Sequence, residues 1–500
     1  MSMAPTTDPK IQLLAGVAAV DITGTATEQI ADPLYAAIDA EITNDRLCVK
    51  ALVLRDEITS VVVITVDAVA IAEIGSISND YLTNVRAQLH EELSIEPTQI
   101  LINASHCHGV VCADVEQRTV QAVRQAWQSL VPVRVGVGVG HEDRITENRR
   151  LRLESGRVAD VRRAYSLPPD DEIESVGPVD PEIGILRLDR EDDRTLAVVY
   201  NFACHPIQGV PGGGNTADLS GFATRVIEEN LGDGGLALFL QGCGADINPI
   251  RYRDIDSPPD AEPLGHRLGL STLRALKSIR SGQEGHLRLI HETVRLPRAD
   301  LAPRIASMEA EQTRLLASLK QTMLNLKSFV PLLIKHRLSP DYPAYDSHRY
   351  LHERAVGRDH LRRLDATNNR HLDDYIDNVH TMEELTRLQV NLDLLRKHQA
   401  RRTADGTGWI DAEVACLRVG DFVLVTFPGE LPVEMGLRIK QASPHHHTFV
   451  AGVTNGYLYY TPTAEQLENR GGAQEDSDCL VDPSWQKQFE AKVEQILKRL

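Results

Sequence analysis

The run Ile100-Leu-Ile-Asn-Ala-Ser-His106-Cys-His108-Gly109 carries a short apolar strand into a His-X-His turn. Consecutive aliphatic residues ahead of small and polar ones read as a β-strand. Residues two apart leave a strand end on one side. His106 and His108 therefore present two imidazoles together, as a metal site or an acid–base pair requires. A second segment repeats the plan, because the apolar Leu196-Ala-Val-Val-Tyr-Asn-Phe202 leads into Ala203-Cys-His205-Pro206. Two strands that each deliver a histidine make a zinc hydrolase the leading reading.

Outward from these strands, Ala51-Leu-Val-Leu54 and Val61-Val-Val-Ile-Thr-Val66 alternate with helical patterns, the texture of an α/β protein. The expected fold is a mixed β-sheet with flanking helices. Asp67, at the end of Val61 to Val66, reads equally as a functional carboxylate and as a cap or ion pair. Residues 12–300 and 405–500 are expected to form one catalytic domain, since Val414-Ala-Cys-Leu417, Phe422-Val-Leu-Val-Thr-Phe427 and a terminal helix over 483–500 restore the texture. The intervening residues 301–400 read as a helical insertion. Ile305, Met308, Leu315, Leu319, Met323 and Leu326 predict one long helix that Pro331 stops. A second is predicted to start at Thr381, whose spacing to Glu384 fits a capping box, and to run through Leu385, Leu388, Leu392 and Leu395. Together they predict an antiparallel hairpin that packs or dimerises, with a substrate lid as the alternative.

Bulk properties exclude several classes of function. Hydrophobic residues at 42% and charged residues at 25% are those of a globular protein. The net charge of −18 argues against nucleic-acid binding, which needs a basic stripe. No apolar stretch approaches the roughly 20 residues of a membrane span. The N-terminal ten residues hold no basic-then-apolar leader, so the expected location is cytoplasmic. Seven widely spaced cysteines read as reduced thiols, although Cys107 and Cys204 keep a thiol nucleophile in view.

Further motifs follow apolar strands. Phe427-Pro-Gly429-Glu430 projects a carboxylate from a strand end, Asn455-Gly-Tyr-Leu-Tyr-Tyr460-Thr-Pro-Thr463 supplies phenol oxygens, and Gln241-Gly-Cys-Gly-Ala-Asp246-Ile-Asn248-Pro249 forms a glycine-rich turn. His106 and His205 are the best ligand candidates. His108 is a third ligand or a donor to a developing oxyanion. His445-His-His447 and Val135-Gly-Val-Gly-Val-Gly140 imitate a metal cluster and a nucleotide loop, without the flanking sequence either requires.

In their order along the chain, these motifs resemble the neutral (non-lysosomal) ceramidase family of zinc amidases, over roughly residues 12 to 500, with weaker agreement at Asp180-Pro-Glu182 and Asn148-Arg149. The resemblance implies one zinc per chain, held by His106, His205, Glu430 and Tyr460. It also implies His108 beside the metal as a transition-state stabiliser, and Arg149 near the substrate. Tyr457 is expected to share oxyanion stabilisation, and Asp218 and Asp246 to orient the histidines. The sequence departs from the family pattern at Ile247 in place of a serine, at Gly109-Val-Val-Cys112 after the His-X-His, and at Ala473 in place of a tyrosine. The metal site and hydrolytic chemistry are therefore carried over, and the lipid substrate is not. The expected activity is cleavage of an amide (N-acyl) bond in a small or medium-sized molecule by a water whose pKa the metal lowers towards about 7. Ester or lactone hydrolysis, a Cys-dependent hydrolase and a non-catalytic ligand-binding homologue are the alternatives. A homo-oligomer through the helical insertion is the expected assembly.

Overall fold

The computed structural model describes residues 12–24, 44–160, 167–211, 214–252, 254, 256–283, 285–338, 348–468 and 473–500. The first eleven residues, on which the expectation about a leader rests, lie outside this set. The chain separates into an α/β unit, which takes in most of the chain up to Ala299 together with Arg402–Leu500, and a helical unit centred on Asp300–Arg401.

Eight strands build the main sheet of the α/β unit: β1 (Leu14–Asp21), β2 (Cys48–Arg55), β3 (Ser60–Val66), β4 (Ile100–Ala104), β5 (Val131–His141), β6 (Glu182–Arg190), β7 (Thr195–Phe202) and β8 (Leu236–Gln241). Their order is β8-β7-β6-β5-β1-β2-β3-β4. The pairs β3–β4 and β7–β8 are parallel, and the pairs β1–β2, β2–β3, β5–β6 and β6–β7 are antiparallel, so the sheet is mixed. The aliphatic runs match full burial, for β4, although last in the order, is buried at every residue and β3 at all but its first. The sheet curls until side chains stitch its two edges together. Thr65 Oγ1 donates to the Phe239 carbonyl at 2.7 Å, and the Gln241 amide donates to Asn103 Oδ1 at 3.0 Å. The ends of β4, β7 and β8 thereby converge.

A second sheet, β9 (Leu287–Pro297), β10 (Trp409–Val419), β11 (Phe422–Thr426) and β12 (His447–Ala451), runs in that order. It shares a core with the first through Leu186, Leu238, Leu417, Phe422 and Phe449. The close approach explains Gly184 on β6, where a Cβ would fall 2.2 Å from the Phe449 ring. Helices α1 (Tyr81–Leu93), α2 (Val115–Gln128), α3 (Asp218–Leu231) and α4 (Glu262–Leu276) flank the main sheet, and the terminal helix spans Trp485–Leu497. The mixed sheet with flanking helices is the expected one. Residues Val135 to Gly140 lie inside β5, paired along β6, and form no nucleotide loop. His445 donates from Nε2 to the Leu497 carbonyl at 2.9 Å, and His447 opens β12.

The helical unit holds α5 (Ala302–Ser318), α6 (Leu326–Leu333) with a π-helical turn over Ile334–Leu338, α7 (His348–Ala355) and the 46-residue α8 (His360–Asp405). Two expectations need correction. The first predicted helix ends at Ser318 and restarts after Asn325, whose side chain caps α6, and Pro331 sits within α6. Thr381 does not start a helix; its hydroxyl donates to the Asp377 carbonyl at 2.9 Å inside α8. The stretch from His360 to Asp405 contains no glycine or proline, and a capping-box spacing does not by itself interrupt a helix that no strong breaker ends. No helix among the described residues is long and apolar enough to cross a membrane.

Candidate metal centre

Three segments converge at the joined strand ends. His106 follows β4, His205 follows β7 and Glu430 follows β11, and all three are buried. One ligand-type atom from each lies within 4.8 Å of the others. His205 Nε2 stands 2.9 Å from Glu430 Oε2, His106 Nε2 stands 3.4 Å from the same oxygen, and the two rings are 4.8 Å apart between centroids. Tyr460 brings its phenol oxygen to 3.5 Å from His205 Nε2.

The protons in this cluster are fixed by its outer partners. His106 Nδ1 lies 2.6 Å from the Val69 carbonyl and His205 Nδ1 lies 2.5 Å from the Gly244 carbonyl. A carbonyl only accepts, so each Nδ1 carries the hydrogen and each Nε2 of a neutral ring turns a lone pair inward. Burial and the Arg149 charge push His205 down to about 4, which keeps that ring neutral. Burial raises Glu430, but the imidazoles beside it more than reverse this and hold the carboxyl well below the usual range. Glu430 Oε2 has no hydrogen-bond donor of its own. A buried carboxylate between two imidazoles needs positive charge beside it, from a proton on a ring or from a bound cation. The donor set, nitrogen and oxygen with backbone carbonyls behind the imidazoles, fits a zinc ion.

The remaining predicted residues sit around this cluster. His108 is half-buried and meets His106 edge-on, with ring centroids 5.8 Å apart. Tyr457 donates its hydroxyl to Glu430 Oε1 at 2.5 Å. Arg149 is buried among protein groups: its Nε donates to Glu475 Oε1 at 2.5 Å, Nη1 to Asn248 at 3.2 Å, and Nη2 to the Ala245 carbonyl and to the Tyr460 phenol at 3.3 Å. The two carboxylates expected to orient the histidines are engaged elsewhere. Asp218 accepts from the Gly209 and Leu219 amides, each at 2.6 Å, and Asp246 accepts from the Val433 amide at 2.8 Å and from Asn148. Burial raises Asp218 to about 7 and Asp246 to about 6. Both shape the loops that carry the ligands, and neither takes a histidine Nδ1.

Sequence reasoning missed the two carbonyls, which any residue type supplies, and Glu475, which joins Arg149 to Arg150. The Glu475-Asp476 pair after Gly471-Gly472 was the available signal for the latter. Ile247 acts through its backbone, since its carbonyl accepts the His205 amide at 2.9 Å. His106, Val453, Asn455 and Tyr459 all have φ between 46° and 69°. For β-branched Val453 this is a strained conformation, and such strain concentrates where a site over-determines its backbone. Cys107 and Cys204 are buried, and burial pushes both thiols well above their ordinary value, the reverse of an activated nucleophile.

The fold is that of neutral ceramidases. The crystal structure of the neutral ceramidase from Pseudomonas aeruginosa superposes with a TM-score of 0.61 at 15% identity, covering 98% of this chain and 75% of that one. A ceramidase complexed with C2 gives a TM-score of 0.61 at 13% identity, covering 98% and 76%. No protein-family model and no curated protein sequence matches the chain. At these identities the likeness establishes the architecture, and the chemistry rests on the cluster of His106, His205 and Glu430.

Proposed function

We propose that this chain is a zinc-dependent hydrolase that cleaves an amide (N-acyl) bond in a small or medium-sized molecule. The observation that carries the reading is the convergence of His106 Nε2, His205 Nε2 and Glu430 Oε2 in the protein interior. These groups, with the Tyr460 phenol, would hold one zinc ion. When bound, zinc supplies Lewis-acid polarisation of a carbonyl and lowers the pKa of a water towards neutrality. The structural neighbours are named for cleaving ceramide, itself an N-acyl amide, which favours an amide over a phosphoester.

The chain's own residues divide the remaining work. The Val69 and Gly244 carbonyls fix both ring orientations. Tyr457 holds Glu430 by Oε1 and leaves Oε2 to face the imidazoles, and Arg149 holds the Tyr460 phenol. His108, the more exposed of the paired histidines, donates a hydrogen bond to the substrate oxygen as it gains negative charge. Exclusion of water around the buried ligands strengthens each of these interactions.

The test is turnover of N-acyl amines, N-acyl amino acids and matched esters by the metal-loaded wild type and by Glu430→Gln. Amide cleavage in the wild type and none in the variant is the expected result. Turnover that Glu430→Gln leaves intact, or no turnover of either class, would overturn the reading. Cleavage of esters alone would replace it with the ester or lactone alternative.

A further inference from the structure

Helix α6, Leu326-Lys-Ser-Phe-Val-Pro-Leu-Leu333, is apolar on almost every side, yet none of its residues is buried. Such a helix normally lies inside a protein or a membrane. Its inner face is accounted for by Phe329, which stacks on Tyr375 of α8 with ring centroids 4.4 Å apart. Leu326, Val330 and Ile334, spaced four residues apart, form an outward stripe, and Leu326 is 66% exposed. Met323, just before the helix, is 84% exposed, and Leu351 on α7 is 71% exposed. Lys335 ties these parts into one platform by reaching Asp365 of α8 at 2.8 Å and the Tyr350 hydroxyl of α7 at 3.3 Å.

Charge marks the same end of the unit. Over residues 320–377 there are ten Lys and Arg against eight Asp and Glu, whereas the whole chain carries 53 against 71. Most acids described here are already paired: Asp365 with Lys335, Asp373 with Arg337, Asp374 and Asp377 with Lys320, and Asp359 with Arg363, while Glu353 accepts from the His360 backbone amide. Lys327, Arg354, Arg358 and Arg362 are exposed and make no ion pair among the described residues. An apolar stripe beside exposed cations is complementary to an anionic lipid surface, where apolar groups enter the headgroup boundary and cations meet phosphates. A second copy of this face would bring the same four cations against one another.

We propose that the end of the helical unit formed by α6, α7 and the first part of α8 docks on an anionic lipid surface, with Leu326, Val330, Ile334 and Met323 inserted and Lys327, Arg354, Arg358 and Arg362 against the headgroups. The docking is interfacial. It uses none of the metal-centre residues and does not depend on the hydrolase reading.

The experiment is sedimentation of the full chain with sucrose-loaded vesicles of phosphatidylcholine alone, or of phosphatidylcholine with about one-quarter phosphatidylglycerol. The wild type binds the anionic vesicles and loses binding as salt rises. Leu326→Ser, Val330→Ser and Ile334→Ser combined weaken binding by about ten-fold or more. Lys327→Glu, Arg354→Glu and Arg358→Glu combined remove the preference for phosphatidylglycerol. The second variant touches only exposed side chains, so the test survives if the first disturbs α6. No binding by the wild type, or binding unchanged in both variants, would overturn the proposal. So would a wild-type dimer in light scattering that the serine variant dissociates, which would assign the face to a second copy.

Discussion

The α/β unit holds one network of charges deep inside, where Arg149, Arg150, Glu475 and Asp476 are all buried and joined. The helical unit instead sets its ion pairs, such as Arg314–Glu311 and Lys320–Asp377, at the surface, and leaves apolar side chains in the open. A buried network carries a large desolvation cost and is retained where it holds a particular arrangement. Here that arrangement is the Tyr460 phenol beside His205, held through Arg149. Exposed pairs contribute little to stability, and a surface meant for a partner needs the composition of an interface rather than a fixed geometry. The contrast separates a part of the molecule built to position atoms from a part built to present a face.

The contrast breaks most readily at Glu475. Glu475→Gln leaves two buried guanidinium groups without their shared counter-charge and should cost about 3 to 5 kcal/mol, measured by chemical denaturation. A cost under about 1 kcal/mol would mean that the network positions nothing.

A smaller effect is expected at Glu413, which receives both Arg86 Nη atoms, at 2.8 and 2.9 Å, and lies 2.9 Å from His291 Nε2. Burial would raise this carboxyl, but His291 and Arg86 hold it at about 2, below its ordinary 4.5. A depressed carboxylate stabilises the fold fully above its unfolded value, and the stabilisation is lost as pH falls through the folded one. The wild type should therefore lose about 2 kcal/mol between pH 4.5 and about 2 on this account, with partial exposure already discounted. Glu413→Gln should be less stable by that amount at pH 7 and flatter across the window. Parallel denaturation curves over that range would contradict the assignment.

Tyr457→Phe removes the hydroxyl that holds Glu430 Oε1 and should weaken metal affinity by about ten-fold with the fold unchanged. Competition with a chromophoric chelator measures this, and an unaltered affinity would show that Glu430 needs no such brace. The smallest change in stability belongs to the helical unit. Each of Leu326→Ser, Val330→Ser and Ile334→Ser should stay within about 0.5 kcal/mol of wild type, because these side chains are already exposed. Losses of several kcal/mol would mean that α6 has a core role, and the contrast would dissolve.

The sequence revealed most where local signals and burial agree. The aliphatic runs of β3 and β4 could only be buried strands, and the histidines that follow β4 and β7 were visible because small residues flank them. Hidden from it was whatever depends on distant backbone. The Val69 and Gly244 carbonyls that set both imidazoles carry no residue-specific mark, and the inward turn of Arg149 depends on Glu475, 326 residues away. The helical unit misled in a different way. Thr381 and Glu384 have capping-box spacing inside a continuous helix, and Pro331 drew attention from the real break between Ser318 and Leu326. Short motifs specify a terminus only when their neighbours allow one.

The central claim is that His106, His205 and Glu430 surround a metal ion, and elemental analysis of the purified protein addresses it most directly. Inductively coupled plasma mass spectrometry should find close to one zinc per chain in the wild type and almost none in a His106→Ala, His205→Ala double variant that remains folded. A wild type that stays metal-free after incubation with zinc, or a double variant that retains the wild-type content, would contradict the account.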